Sequence, residues 1–159
     1  MAFQGLSPVR FGSVSMVTAA LGANDPELGT TAVVDGLEYV FVYNAGGEDI
    51  NPGYGCVPNS ASAGYSVTVT SATFVDFCQG VAKHATLTTD TYGWVVTKGV
   101  TPIEMGATSG SVAALGLVYL GANGVFVPAS NITGALAPVA GKALAAIVSS
   151  ASGSAYIRC

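Results

Sequence analysis

Thr30-Thr31-Ala32-Val33-Val34-Asp35-Gly36-Leu37-Glu38-Tyr39-Val40-Phe41-Val42-Tyr43 sets the fold class of this chain. Two runs rich in β-branched and aromatic residues flank Asp35-Gly36, a dipeptide that accepts the positive φ angles of a tight hairpin turn. On the second run Glu38, Val40 and Val42 share one face and Tyr39, Phe41 and Tyr43 the other. Such alternation is the signature of a strand, and the aromatic stripe is read as core or interface.

The same grammar continues downstream. Ala45-Gly46-Gly47 closes the strand, and Pro52-Gly53 turns the chain into Tyr54–Val57. Ser66–Thr70 alternates as a half-buried strand, whereas Phe74–Lys83 reads as a strand broken at Gly80. Tyr92-Gly93-Trp94-Val95-Val96 is a strand around the only tryptophan, and Lys98-Gly99 is expected to turn it into Val100–Met105 as a second hairpin. Further strands are expected at Leu115–Leu120, Val125–Val127 and Ala155–Arg158. Gly141–Ser149 is Ala-rich enough for a short helix, but its Ile147, Val148 and flanking Gly and Ser fit strand better. No internal repeat is evident. The reading is an all-β, single-domain antiparallel β-sandwich or barrel over 30–159, with residues 1–29 as an extended N-terminal arm or edge segment. Tyr39, Phe41, Tyr92 and Trp94 are its expected core anchors.

Composition bounds the function. Charged residues are 9% of the chain and apolar residues 50%, against about a quarter charged in ordinary soluble proteins. A surface so poor in charge is expected to be covered by something. Beyond Glu104 the only charged residues are Lys142 and Arg158, so the final third is expected to be the most buried or most self-associating part. Val112–Leu120 and the interrupted Ile132–Val148 are too short or too broken to cross a bilayer as helices. Phe11–Val17 alternates with Gly and Ser and lacks the compact apolar block of a secretion signal. A net charge of −4 without a cationic cluster argues against nucleic acid as a partner.

Chemistry-bearing residues are sparse. With His84 as the one histidine, catalytic triads and multi-histidine metal sites are out of reach. Cys78 and His84 could pair as nucleophile and base, but no oxyanion loop accompanies them. The carboxylates Asp35, Glu48, Asp49 and Asp90 sit in turn contexts, and Glu48-Asp49 with Asn44 or Asn51 lacks the alternating oxygen ligands of a calcium loop. Gly106–Gly110 lacks the Gly-Lys-Ser/Thr ending of a phosphate cradle. Cys56, Cys78 and Cys159 read as buried thiols, with a Cys56–Cys78 bridge the alternative should the chain be exported. No enzyme, metal or cofactor is expected.

Gly36-Leu37-Glu38-Tyr39-Val40, Asn44-Ala45-Gly46-Gly47 and Ile50-Asn51-Pro52-Gly53, with Gly80-Val81-Ala82, Tyr92-Gly93-Trp94-Val95, Gly99-Val100 and Gly121–Val127, resemble the head decoration or cement proteins of tailed bacteriophages. The resemblance spans residues 30–130. It implies an oligomeric β domain, often a trimer, made in the host cytoplasm and seated on the outer capsid surface, with the major capsid protein as partner. The bulky arm residues Phe3, Leu6, Pro8 and Phe11 are then the candidate contacts to the shell or a neighbouring protomer. The competing expectation is a surface adhesin that binds glycans or a receptor through Tyr54, Tyr65 or Trp94.

Overall fold

The hairpin is where the sequence places it. In the computed structural model, which describes residues 17–18, 21, 25–59, 64–69, 78–107, 110–132 and 139–159, Val34 pairs with Leu37 across Asp35 (φ 51°) and Gly36 (φ 76°). Those angles are the two left-handed positions of a type I′ turn.

The strands in chain order are β1 (Val17–Thr18), β2 (Thr31–Val34), β3 (Leu37–Asn44), β4 (Gly55–Pro58), β5 (Ser66–Thr68), β6 (Gly80–Ala82), β7 (Tyr92–Glu104), β8 (Leu117–Leu120), β9 (Phe126–Pro128), β10 (Val139–Ala143) and β11 (Ser152–Arg158). They form one hydrogen-bonded sheet, antiparallel except where β3 meets β5. The chain is all-β and a single domain.

That sheet closes on itself. β3 pairs with β5, β5 with β4, β4 with β6, β6 with β7, and β7 returns to β3. Closure removes edges and surrounds an interior that Val42, Ile50, Val67, Leu87 and Val95 fill.

A second circuit repeats the first roughly 60 residues further on. Here β7 supplies the first strand: just beyond its end Met105 makes an isolated parallel bridge to Phe126 of β9, β9 pairs with β8, β8 with β10, β10 with β11, and β11 returns to β7. The correspondence extends to register. Gly55↔Val81 in the first circuit matches Leu117↔Lys142 in the second, and Ala82↔Val95 matches Ala143↔Ala155. Ile50 and Leu87 exchange two backbone hydrogen bonds (3.0 and 2.9 Å), as do Val112 and Ile147 (both 2.9 Å). The turn before the last strand carries Asp90 at φ 60° in one and Ser150 at φ 58° in the other. The structure thus contains an internal repeat that the residues do not announce, because equivalent core positions differ in identity: Cys56 answers to Val118, and Val67 to Phe126.

β7 joins the circuits, and here two sequence expectations fail. Lys98-Gly99 does not turn the chain, and no hairpin separates Tyr92–Val96 from Val100–Met105: the strand runs unbroken from Tyr92 to Glu104. Gly99 stands within it at φ +120°, where a Cβ would meet Leu37 Cδ2 at 2.5 Å. Glycine serves a close crossing of the β2–β3 hairpin rather than a turn. Gly80 opens β6, and the part of the expected Phe74–Lys83 strand before Cys78 lies outside the described residues; of Gly141–Ser149 only Gly141–Ala143 is strand, the rest being bends and a turn around the Ile147 bridge to Val112.

β7 pairs with β6 through Val95 and Val96 and with β11 from Lys98 onward. At the changeover Cys159 donates its N–H to Thr97 (2.8 Å), and its sulfur bonds Cys78. The disulfide therefore ties the entry to β6 to the end of β11. Cys78 pairs with Cys159 rather than Cys56, which is free and buried. Sequence spacing could not favour this pair, since 81 residues separate the two.

The circuits also pack face to face. A Cβ at Gly55 would lie 2.5 Å from Leu120 Cδ1 and 3.2 Å from Phe126 Cζ. Gly55→Val should therefore destabilise the protein by about 1–3 kcal/mol through overpacking, read as a lower urea midpoint at unchanged slope.

Candidate interaction surface

The aromatic stripe of β3 meets that of β7 in register, Phe41 opposite Trp94 and Tyr43 opposite Tyr92. Phe41 lies 5.1 Å from Trp94 and 6.3 Å from Tyr92 between ring centroids, and Tyr43 lies 4.7 Å from Tyr92. Such cross-strand pairs fix register as well as burying area. Tyr39 and Phe41 are buried, whereas Tyr92 and Trp94 are half-buried on the same outer face.

Polar groups brace the ladder. Tyr43 donates its hydroxyl to Asp90 (2.9 Å), which raises the tyrosine pKa. Tyr39 Oη is 3.0 Å from His84 Nε2, and Lys98 pairs with Glu38. Burial, then the charge of Lys83, hold the His84 pKa below its usual value. The folded chain consequently binds fewer protons here than the unfolded one. The His84 contribution is complete above the ordinary value of about 6.5 and is lost as pH falls through it toward the lowered folded value. Between pH 7.5 and 5 the wild type should lose more stability than His84→Gln, as compared by urea midpoints at the two pH values.

The other sequence candidates are dispersed. Cys78 is in the disulfide, so no thiolate stands beside His84. Burial pushes the free Cys56 thiol up to about 12, keeping it protonated at neutral pH. Asp49 accepts from Thr89 N (3.0 Å) as a loop brace. Asn44 donates its amide N–H groups to the carbonyls of Glu48 and Leu87 (both 2.9 Å) and its Oδ1 accepts from Gly46 N (3.1 Å), so it serves as a buried brace of the turn. Among the described residues no group of three or more His, Cys, Asp or Glu converges as a metal site would require. Tyr54, Tyr65 and Trp94 lie in different places: Tyr54 lines a cleft, Tyr65 lies against Gly29, and Trp94 packs at a tilt against Phe41. Phe3, Leu6, Pro8 and Phe11 fall outside the described residues.

The structure adds two surfaces that the sequence did not single out. One is an open cleft of about 620 Å³ where the circuits meet, lined by Tyr54, Glu104, Asn123, Asn131 and Ser150. Glu104 is engaged there by the Ser152 hydroxyl. The other is the outer face of β8, β10 and β11, where Leu117, Val139, Lys142, Tyr156 and Arg158 surround a shallow depression. The lack of acidic residues beyond Glu104 was its only trace in the sequence.

The sequence matches no protein-family model and no curated protein. Its fold is similar to a solved structure, the N base of the head fiber gp8.5 in bacteriophage phi29. The two are 12% identical, with a TM-score of 0.52 over 75% of this chain and 93% of that one.

Proposed function

We propose that this chain is a structural protein of a tailed-phage head, seated on the outer capsid surface and bound across capsid subunits. The observation that carries this reading is the likeness in fold to the phi29 head-fiber base, which extends over 93% of that chain. The composition agrees with it: 9% charged residues leave a surface suited to being covered.

Its action would be linkage rather than catalysis. A protein that binds the assembled shell and not the free subunits stabilises the shell by mass action, and repeated copies make weak individual contacts sufficient. The partners are the major capsid protein and further copies of the chain itself, as a trimer, with the arm residues Phe3, Leu6, Pro8 and Phe11 as contacts. No nucleic acid, membrane, metal or cofactor enters the reading.

Co-sedimentation tests it. The purified chain should pellet with emptied heads of its phage, saturate at a fixed ratio to the capsid subunit, and stay in the supernatant with separated tails or unassembled capsid protein. Binding to tails alone would overturn the proposal.

A further inference from the structure

The internal repeat makes each surface of one circuit comparable with its counterpart in the other. In the first circuit the row Gly55, Val81, Val96 and Tyr39 crosses β4, β6, β7 and β3 on the outer face. All four are buried. Part of the cover is the second circuit: Leu120 and Phe126 close on Gly55, and Val81 belongs to the second core.

The equivalent row of the second circuit is Leu117, Lys142, Tyr156 and Val100, in register across β8, β10, β11 and β7. It faces solvent, with Leu117, Tyr156, Val100 and the adjacent Val139 each 40–47% exposed. A face sealed in one repeat is open in the next, and repeat architectures bury such faces by adding a further unit.

Charge indicates what that unit is. In the first circuit Lys98 is neutralised by Glu38. Its counterpart is Arg158, and the residue opposite it across the ladder is Lys98 rather than a carboxylate, which sets two cations side by side at this edge. Arg158 and Lys142 are two of only five cations in the chain, and both border this apolar row. The first circuit carries the complement. Glu48, Asp49 and Asp90 are exposed at one of its ends, gathered by the Asp49–Thr89 and Asp90–Tyr43 hydrogen bonds.

We infer that the outer face of β8, β10 and β11 docks the acidic end of the first circuit of a second copy, head to tail. A heterologous contact of this kind closes into a ring when the rotation between copies permits. The inference rests on the self-association in the proposed function and not on the place on the phage head, so its test on the purified chain can fail while capsid binding stands.

The test is charge reversal read by light scattering and sedimentation velocity on the full chain, without phage particles. Wild type should be oligomeric. Lys142→Glu with Arg158→Glu should weaken association by about tenfold or more, and so should Glu48→Lys with Asp49→Lys. Combining all four substitutions should restore it, since the complementarity is then reversed but intact. Thermal melts control for folding, and Glu48→Lys alone, which leaves the Asp49–Thr89 loop brace intact, should weaken association in the same direction. A monomeric wild type, a variant pair that leaves the oligomer unchanged, or a combined variant that stays dissociated would each overturn the inference.

Discussion

Phe126→Ala should destabilise the protein by about 3–5 kcal/mol, the range for removing a fully buried phenylalanine. Phe126 has no exposed surface, lies in the second core, and stands against Gly55 where the circuits meet. Its backbone also accepts from Gly106 (3.0 Å) beside the bridge to Met105, so the ring closes at this residue. Its counterpart Val67 is equally buried but smaller, and Val67→Ala should have a lesser effect. Both variants should unfold in one transition, because β7 contributes to both cores and neither circuit can open while the other keeps it. Chemical denaturation followed by tryptophan fluorescence and by far-ultraviolet dichroism checks this. If the two probes part company in Phe126→Ala, the circuits are energetically separate.

Removing the disulfide should have a comparable effect. Cys78 and Cys159 are 81 residues apart, and cross-linking a loop of that size lowers the entropy of the unfolded chain enough to stabilise the fold by about 4 kcal/mol. Cys159→Ser should therefore lower the unfolding midpoint sharply. Reducing agent should bring the wild type to the same midpoint and leave Cys159→Ser unmoved. Cys56→Ser tests a different quantity, the packing of a buried thiol that donates weakly to the Gly80 carbonyl (3.5 Å), and should respond to reductant as the wild type does. Equal midpoints for oxidised wild type and Cys159→Ser would show that the bridge contributes nothing.

The first hairpin was legible because Asp35-Gly36 acts locally: the turn angles need those residue types and little else. The strands around Trp94 and Val67 were legible for the same reason, through alternation. Gly99 was misread because a glycine serves a turn and a close approach equally well, and only the Leu37 side chain from a distant strand decides between them. The repeat was hidden because a core selects for apolar volume, so Val67 and Phe126 can occupy one position in two circuits. The cysteine pairing depends on where β7 exchanges β6 for β11, which no local pattern encodes. The open face around Tyr156 was foreshadowed by the charge-poor final third, but its shape needed the register of β8, β10 and β11.

The most direct test of the proposed head role is electron cryomicroscopy of the native phage particle, with density assigned to this chain. The account expects fixed positions on the outer surface of the head, each in contact with more than one capsid subunit. Density confined to the tail, or a particle that lacks the chain altogether, would contradict it.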